Sequence, residues 1–272
     1  MIQHTNLLTE MLWSSHEIDV SKYDSTFLHA AFERRRFELQ FDTQKKYHVF
    51  IDQNKEEAVY FEHSLHNSYS EFFRNKLTFA LLEKIILPSL TLQKKEIRIC
   101  CAACASGEEV YSLAILMEEM KKLTSSALNY HIFATDQCAS QIQNALKGQY
   151  SLSSLGNITL SRSLHWFTKQ EDSYTIDSAL RKNIDFSIFN LFDESSRVPS
   201  ASIFGNFDLV FCANLLFYYK PKYRNMILHK VSQSLAPHGY LITGETERMI
   251  VSKTNFNETF PQSAIFQLEI NK

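Results

Sequence analysis

Two adjacent carboxylates, Glu108 and Glu109, follow a turn of small residues that ends at Gly107. An apolar run before the turn predicts a buried strand, and the pattern after it predicts a long helix. Carboxylates suit the start of a helix because they oppose its dipole, but they repel a pyrophosphate. With one glycine, the turn does not match the dinucleotide-binding fingerprint. A ligand here should therefore carry a cation and no phosphate, which fits S-adenosylmethionine; the alternative is an ordinary helix start with acidic capping.

Further polar residues follow the other apolar runs. Asp136 ends the second run, where its two oxygens can accept hydrogen bonds from both hydroxyls of a ribose. The alternative for Asp136 is a helix N-cap. Asn190 and Leu191 end the third run, and an asparagine can read the edge of an adenine. The run Phe207–Asn214 also ends in a polar turn. Ligands of such sheets lie outside the carboxyl ends of the strands, so these residues are predicted to share one site.

From residue 97 onward, predicted strands alternate with predicted helices. The strands are predicted at Ile97–Cys101, Tyr130–Thr135, Ile184–Phe189, Phe207–Ala213, Gly239–Thr243 and Ile265–Ile270. The helices are predicted at Glu108–Leu123, Ala139–Leu146 and Lys222–Leu235. Such alternation is typical of an α/β fold with a doubly wound, mostly parallel sheet. The segment Trp166–Ile176 interrupts the alternation and predicts a small inserted β-hairpin.

The first 90 residues contain no clear strand pattern and predict an all-helical domain. Helices are predicted at Tyr23–Phe41, Tyr47–Ile51, Ala58–Leu65 and Phe72–Leu87. Pro88 is expected to end the last of these, because proline lacks the amide hydrogen that a helix interior requires. We predict an N-terminal helical domain over residues 1–90 and a sheet domain over residues 91–272, with an inserted β-subdomain around residues 160–180.

Composition and charge narrow the functional classes. The net charge of the 272 residues is −2, which gives no general attraction to nucleic acid or to an anionic membrane. No apolar run reaches the length of a membrane span, so no membrane-embedded segment is expected. The five cysteines lie in or beside apolar runs, which predicts reduced, buried thiols in the cytoplasm. Cys101 and Cys104 form a C-x-x-C without a second pair or a histidine cluster, so no metal site is predicted.

Several segments resemble the motifs of one family. Ala103–Ala114 resembles the cofactor-binding motif of the chemotaxis receptor glutamate methyltransferases, the CheR family. Upstream, Ser68–Arg74 resembles the family's Asn-x-Thr-x-Phe-Phe-Arg signature. Later motifs match in order and spacing at Ala134–Asp136, Asn190–Leu191, Phe211–Tyr218 and Leu235–Glu247. The resemblance extends from about Tyr23 to the last residues, and the predicted hairpin stands where the family carries its β-subdomain.

The resemblance implies a class I methyltransferase with a Rossmann-like sheet, S-adenosylmethionine as cofactor and S-adenosylhomocysteine as product. The implied reaction is esterification of glutamate side chains on the cytoplasmic helices of chemoreceptors, by a monomer. The implied cofactor-binding residues are Ser68, Ser70, Arg74, Ala103, Gly107, Glu109, Asp136, Asn190, Leu191, Cys212, Ala213 and Asn214. The family's proposed catalytic pair falls on Arg74 and Tyr218.

This reaction requires few catalytic groups. A glutamate carboxylate has an ordinary pKa of about 4.3, so it is ionised at neutral pH and requires no general base. What remains is placement in line with the methyl group and removal of water. Arg74 can hold one carboxylate oxygen and leave the other to attack; the alternative is a salt bridge between domains. Tyr218 can donate a hydrogen bond or line the methyl channel; the alternative is a packed aromatic ring.

The chain departs from the family pattern at four positions. Ser68 and Ser70 stand where the family usually has Asn and Thr. Val110 replaces its Pro, and Ala213 replaces its Arg. The changes at Ser68 and Ala213 suggest a second class of function, a cofactor-binding regulatory protein with lost or altered turnover. A third class is a small-molecule methyltransferase or an oxidoreductase on a similar sheet, and the Phe-Phe-Arg signature argues against it.

The N-terminal helical region is predicted to recognise the substrate. Receptor methylation sites are rich in Glu and Gln, and Arg34, Arg35 and Arg36 form a basic cluster on a predicted helix. Consecutive residues fan around a helix, so the three cannot all face one groove. The alternative is a solvated helix surface. The hairpin Trp166–Ile176 is a further candidate, as a binding site for the C-terminal tail of a receptor.

Overall fold

The computed structural model describes residues 2–66, 69–124, 128–202 and 204–269. Internal contacts divide the chain into two units. The smaller unit comprises Met1–Asn67 and Phe217–Asn225, and the larger comprises Ser68–Leu216 and Met226–Lys272. The sequence predicts the boundary at residue 90, whereas the division in the structure falls well before that residue. The reason is that the helices between residues 76 and 93 bury apolar side chains in the core of the larger unit.

Four helices in the described residues form the body of the smaller unit. They are α1 (Ile2–His16), α2 (Ser25–Glu38), α3 (Gln44–Gln53) and α4 (Lys55–Ser64). The side chains of Asp24, Thr43 and Asn54 accept amide hydrogens at the starts of α2, α3 and α4, as N-caps do. Helix α1 is not predicted from the sequence, because polar residues interrupt its apolar stripe. Tyr23 forms an antiparallel bridge with Tyr219, which ties the distant segment to this unit.

The first helix of the larger unit has three parts. Helix α5 (Lys76–Leu81) continues as a π-helical segment, Leu82–Ile86, and then as α6 (Leu87–Gln93). The prediction that Pro88 ends this helix is wrong, because the chain remains helical to Gln93. Pro88 lies in the first turn of α6, just after the π-helical segment has altered the hydrogen-bond pattern. A missing amide hydrogen is tolerated at that position.

Ten strands lie in the described part of the larger unit. They are β1 (Glu96–Ala102), β2 (Asn129–Asp136), β3 (Gln149–Ser151), β4 (Phe167–Gln170), β5 (Ser173–Ile176), β6 (Ile184–Ile188), β7 (Phe207–Phe211), β8 (Leu235–Ile242), β9 (Phe256–Glu258) and β10 (Ile265–Leu268). Seven of them form the main sheet, in the order β6-β2-β1-β7-β8-β10-β9. The first five are parallel, and β10 is antiparallel to β8 and to β9. The predicted doubly wound, mostly parallel sheet is confirmed.

Five further α-helices accompany the strands among the residues that the structure describes. They are α7 (Glu108–Thr124), α8 (Ala139–Lys147), α9 (Leu160–Trp166), α10 (Pro221–Ser234) and α11 (Arg248–Val251). Strand β1 lies between β2 and β7, and Cys101 is in register with Ala134 on one side and with Phe211 on the other. Every residue of β7 is buried, which explains why it appears in the sequence as a continuous apolar run. The carboxyl ends of β1, β2 and β7 therefore lie side by side.

The three remaining strands form a small antiparallel sheet in the order β3-β5-β4. Strands β4 and β5 confirm the hairpin predicted at Trp166–Ile176. Strand β3 joins them, although three residues are too few to give a recognisable pattern. Gly148 leads into β3 with a φ of +58°, and a Cβ atom there would lie 2.7 Å from side-chain atoms of Ile176 and Arg181. Glycine is therefore required at this position.

The structure also bears on the cysteines and on membrane insertion. All five cysteines are free thiols, and Cys100, Cys101, Cys104 and Cys212 are buried. Burial raises the pKa of the Cys100 thiol to about 12, so it stays protonated at neutral pH. In the part of the chain that the structure describes, no helix combines the length and the apolar character that a membrane crossing requires.

Candidate functional site

The turn between β1 and α7 has a strained backbone. Ala103 (φ +60°), Ala105 (φ +47°) and Gly107 (φ +92°) all lie in the left-handed region, which is costly for residues other than glycine. The Cys104 amide donates a hydrogen bond to the Thr135 carbonyl at 2.8 Å, which fastens the turn to the end of β2. Such strain persists only where the surroundings hold the backbone in place, so contacts elsewhere in the fold must maintain the conformation of this turn.

Asp136 holds the same turn with its side chain. Its Oδ2 atom accepts a hydrogen bond from the Ala105 amide at 2.9 Å, and its Oδ1 atom accepts one from the Cys138 amide at 2.8 Å. The carboxylate remains partly exposed. Each oxygen keeps a further lone pair, so a ligand with two neighbouring hydroxyls can still bind. The N-cap alternative for Asp136 is wrong, because the N-cap of α8 is Cys138, and the ribose-binding role stays a prediction.

The two carboxylates at the start of α7 have different surroundings. Glu108 is buried and accepts a hydrogen bond from the Ser106 hydroxyl at 2.8 Å, which joins it to the turn before α7. Glu109 accepts no hydrogen bond from any residue that the structure describes. Burial raises the pKa of Glu109 to about 8; the Arg74 guanidinium lowers it, and the Glu247 carboxylate raises it further. A desolvated carboxylate of this kind favours a cationic ligand.

Arg74 lies in the loop before α5. Phe73 has a φ of +49°, and its amide donates to the Ser112 hydroxyl oxygen at 3.0 Å. The Ser112 hydroxyl donates in turn to the Glu108 carbonyl at 2.7 Å, which fastens the loop to α7. The Arg74 guanidinium itself donates to the Tyr69 carbonyl at 3.2 Å and lies 5.1 Å from the centre of the Tyr69 ring. No carboxylate among the described residues forms an ion pair with it within 4.0 Å, so it can accept one from outside.

The other predicted residue of this loop, Ser70, is half-buried. Ser68 lies outside the described residues. At the end of β6, the Phe189 amide donates to the Asp136 carbonyl at 3.0 Å, which brings Asn190 and Leu191 to the end of β2. The Asn190 Oδ1 atom accepts a hydrogen bond from the backbone two residues on, so the NH₂ group of its amide remains available.

The loop after β7 supplies the remaining predicted cofactor residues. Cys212 is fully buried, and its amide donates to the Ile242 carbonyl at 2.8 Å. Ala213 and Asn214 are half-buried, and Asn214 has a φ of +60°. A Cβ atom on Gly244 would lie 2.4 Å from the Asn214 side chain. The loop is therefore packed closely against the end of β8, and its conformation depends on glycine there.

Glu247 organises the same loop, and sequence reasoning did not identify it as a site residue. Its carboxylate is fully buried and accepts hydrogen bonds from the amides of Asn214 (2.8 Å), Gly244 (2.7 Å) and Leu216 (2.5 Å). Burial raises the pKa of Glu247, and these amides oppose the rise. The available signal was an acid in a Gly-Glu-Thr-Glu segment directly after an apolar strand.

Tyr218 belongs to the smaller unit, whereas Arg74 belongs to the larger one. The Tyr218 carbonyl accepts a hydrogen bond from the Asp24 amide at 2.8 Å. Its ring centre lies 4.7 Å from that of Phe27, with the planes inclined by 56°. The packed-aromatic interpretation therefore describes the ring in its own unit, and the catalytic pairing of Tyr218 with Arg74 stays a prediction.

The three arginines predicted to bind substrate have different surroundings in the structure. Arg35 makes a two-pronged ion pair with Glu57, at 2.9 and 2.8 Å. Arg36 is buried and pairs with Glu33 at 2.9 Å. Arg34 is exposed and has no ion pair or hydrogen bond with the described residues. The substrate-binding role of Arg34, Arg35 and Arg36 stays a prediction, and Arg34 is the most exposed of the three.

Comparison with known proteins agrees with this arrangement. A family model described as "CheR methyltransferase, SAM binding domain" matches residues 68–265, which include the turn after β1, the Arg74 loop and Glu247. A chemotaxis protein methyltransferase of Borreliella burgdorferi is 31% identical over 186 residues, covering 66% of this chain and 64% of the relative. Chemotaxis protein methyltransferase 1 of Pseudomonas aeruginosa is 32% identical over 184 residues, covering 65% of each chain.

A longer match is to a chemotaxis protein methyltransferase of Listeria monocytogenes, 29% identical over 240 residues, covering 86% of this chain and 85% of the relative. The chain spans about 64–65% of the length of the Borreliella and Pseudomonas relatives. The family model covers well over half of the chain. The chain therefore belongs to the CheR methyltransferase family.

Proposed function

We propose that this protein transfers the methyl group of S-adenosylmethionine to glutamate side chains of chemoreceptors, forming methyl esters. The observation that carries the proposal concerns two side chains of the larger unit, Glu109 and Arg74. They lie near each other, and neither has an ion-pair partner among the described residues. Glu109 is a desolvated carboxylate without a hydrogen-bond donor among the described residues, and Arg74 lies close enough to lower its pKa. A site with one unpaired acid and one loosely held guanidinium suits a cationic cofactor and an anionic substrate.

The residues of the larger unit fit this cofactor. Glu109 would accept the ammonium group of its methionine part, and Asp136 would accept the ribose hydroxyls with the lone pairs left over from its backbone bonds. Ala103 and Gly107 give a turn without bulky side chains, and no phosphate has to approach the two acids at the start of α7. Asn190, Leu191, Cys212, Ala213 and Asn214 are proposed to surround the adenine and the sulfonium.

When bound, S-adenosylmethionine supplies a methyl group activated by its sulfonium. Arg74 is proposed to hold one oxygen of the substrate carboxylate through its guanidinium and to leave the second oxygen free to attack. The nucleophile is already ionised, so this chain's task is to align it and to exclude water rather than to remove a proton. For Tyr218 we retain the catalytic role that the resemblance implies, a hydrogen bond from its hydroxyl or a ring that lines the methyl path.

Nothing in the comparisons favours the alternative of a regulator without turnover, since the relatives named above are themselves described as methyltransferases. Ala213 replaces an arginine of the family, and it lies half-buried in a loop whose backbone is held by Glu247. A backbone held in this way does not depend on the side chain at Ala213. We therefore propose that activity is retained despite this departure.

The substrate side of the proposal rests on the smaller unit. Arg34 is proposed to contact acidic residues of a receptor helix, in the cytoplasm, where the methylated helices lie. The small sheet β3-β5-β4 has β4 at its edge, and an exposed edge can accept an extended peptide such as a receptor tail. Neither nucleic acid nor a second copy of this chain is required by the proposal.

The deciding experiment is methyl transfer from labelled S-adenosylmethionine to membranes that contain the chemoreceptors of the same cell. Matched membranes without the receptors and the Arg74→Ala variant are the controls. We expect label in the receptor bands that is released as methanol by mild base, as an ester requires. Receptor label that survives base, or no label above the receptor-free control, would reject glutamate esterification.

A further inference from the structure

Tyr150 connects two parts of the site that are far apart in the sequence. It lies in β3 of the small sheet and is 5% exposed. Its hydroxyl donates a hydrogen bond to the carbonyl of Ser106 at 2.7 Å. Ser106 stands in the strained turn after β1, between Ala105 and Gly107, both of which have positive φ. A Cβ atom on Gly107 would lie 3.3 Å from the Tyr150 hydroxyl oxygen, so the contact with the turn is close.

The ring of Tyr150 contacts the second part of the site. Its centre lies 4.8 Å from that of Phe72, in an edge-to-face arrangement at 82°. Phe72 also meets Phe167 of β4 edge to face, at 5.3 Å. Phe72 is fully buried and lies two residues before Arg74, so the small sheet holds the base of the Arg74 loop.

Two further contacts join the same subdomain to that loop. The guanidinium of Arg162, on α9, lies 4.9 Å from the centre of the Phe73 ring, and it is fixed there by Glu119 at 2.7 Å and Glu83 at 3.0 Å. Asn157 donates to Glu71 at 3.2 Å. Tyr150 is the residue among these that also reaches the cofactor turn, by the hydrogen bond to Ser106.

We propose that Tyr150 is a positioning residue that holds the cofactor turn and the Arg74 loop in a fixed relation. The inference rests on the proposed function, because its value lies in keeping the bound methyl donor aligned with the guanidinium that holds the substrate. A turn with two left-handed alanines relaxes unless external contacts hold it, and the Tyr150 hydroxyl is such a contact. The small sheet then has a structural role in the site, in addition to any role in receptor docking.

The test compares Tyr150→Phe with Tyr130→Phe. Tyr130 is a matched control because it is 3% exposed, it lies at the amino end of β2, and its hydroxyl donates a hydrogen bond to Glu118 at 2.8 Å. Both variants lose a hydrogen bond from a buried tyrosine, so we expect similar losses in melting temperature. We expect the Kd for S-adenosylhomocysteine, measured by calorimetry, to rise about five- to tenfold in Tyr150→Phe and less than twofold in Tyr130→Phe.

Turnover gives a second readout. Tyr150→Phe keeps the ring that packs on Phe72, so its kcat at saturating cofactor should stay within about twofold of the unaltered protein. Tyr150→Leu loses the edge-to-face contact, and its kcat should fall at least tenfold. If Tyr150→Leu does not fold, the comparison of the two phenylalanine variants decides.

Equal Kd values for the two phenylalanine variants would overturn the proposal and assign Tyr150 to general stability. Equal Kd values are distinguishable from a failure of the proposed function. If the proposed function failed, the unaltered protein would bind no S-adenosylhomocysteine, or would bind it without methylating receptors.

Discussion

The turn after β1 and the loop after β7 lie at the ends of neighbouring parallel strands, and each has a glutamate beside it. Glu109 accepts no hydrogen bond from the described residues, whereas Glu247 accepts bonds from the amides of Asn214, Leu216 and Gly244. Burial raises the pKa of both carboxylates. A carboxylate that accepts hydrogen bonds from amides fixes the backbone, whereas one without a donor can bind a ligand. Hydrogen bonding therefore distinguishes a structural glutamate from a candidate ligand-binding glutamate.

The arginines show the same contrast. The guanidinium of Arg35 is matched by both oxygens of Glu57 and lies 3.9 Å from the centre of the Tyr60 ring. Arg74 donates to the carbonyl of Tyr69 and has no ion-pair partner within 4.0 Å among the described residues. Arg35 therefore has a structural partner, whereas Arg74 is the guanidinium that we propose binds the substrate. Five measurements test this contrast. Groups with partners inside the protein should affect stability, and groups without such partners should affect binding or turnover.

The largest effect is expected on stability, from Glu247→Ala. The substitution leaves several buried amides without an acceptor, so the free energy of unfolding should fall by about 3–5 kcal/mol. Urea unfolding followed by circular dichroism measures the loss, with Glu245→Ala, an exposed neighbour, as the control. A loss below about 1 kcal/mol would mean that Glu247 is not the acceptor that holds the loop.

The next effect is on turnover, from Arg74→Ala. We expect kcat to fall about a hundredfold, equivalent to roughly 2.7 kcal/mol, while the Kd for the cofactor changes much less. Arg74→Lys should restore little, because a point charge does not reproduce the two-pronged geometry of a guanidinium. Steady-state rates with receptor membranes measure this, and a change within twofold would make Arg74 structural.

Asp136 accepts hydrogen bonds from backbone amides and is also proposed to accept them from the ribose of the cofactor. Asp136→Ala should weaken binding of S-adenosylhomocysteine by about 1–3 kcal/mol, because ribose hydroxyls lose their acceptors. Asp136→Asn keeps one acceptor oxygen and should lose less. Calorimetry measures both Kd values, with NAD as the control ligand. Binding of NAD as tight as that of S-adenosylhomocysteine would contradict a site that excludes phosphate.

The pH dependence of binding reports on Glu109. With a pKa of about 8, its carboxyl is protonated at pH 6 in the ligand-free protein, and a cationic ligand requires the ionised form. The Kd should therefore fall as pH rises toward 8, by up to about tenfold per unit. Since the folded pKa lies above the ordinary 4.5, the ligand-free protein should lose stability as pH rises from 4.5 to 8.

The control for this prediction is Glu109→Gln, which should abolish both dependences over that pH range. Melting temperatures of the ligand-free proteins and calorimetric Kd values supply the two curves. Parallel curves for the two proteins would show that another group titrates.

The smallest effect is expected at the substrate surface. Arg34→Glu should raise the KM for receptor about two- to fivefold at low salt and less at high salt, because exposed charges are screened. Arg35→Glu should instead lower the melting temperature, since Glu57 loses its partner. The Kd for the cofactor should not change in Arg34→Glu. An unchanged KM at low salt would make Arg34 solvated surface and direct attention to the small sheet.

Much of the fold was predictable from local pattern. Strand β7 and the later residues of β1 and β2 are buried on both faces, so they appear as apolar runs separated by helix-length segments. Strands β3 and β9, of three residues each, carry no period that a sequence can show. The error at Pro88 has a local cause too, because a π-helical segment cannot be recognised from composition.

The site was predictable in its residue types and not in their bonding. The sequence shows Glu108 and Glu109 as equals, whereas in the structure the Ser106 hydroxyl donates a hydrogen bond to Glu108 and not to Glu109. The partner of Arg35 lies 22 residues further along the chain. The amide of Asn214 lies 33 residues before the carboxylate of Glu247. Contacts over such separations depend on how the elements pack, and no local pattern carries that information.

The strand order has a consequence for how the chain is made. Strand β1 pairs with β2 soon after both are synthesised, but its other neighbour, β7, follows about 110 residues later. Until Phe207–Phe211 leaves the ribosome, the edge of β1 that later pairs with β7 carries unpaired amides and carbonyls among apolar side chains, a surface prone to aggregation. The interior position of β1 therefore makes folding of the main sheet a late event in synthesis. In a chain stopped before β7, the edge of β1 that should pair with β7 stays unpaired.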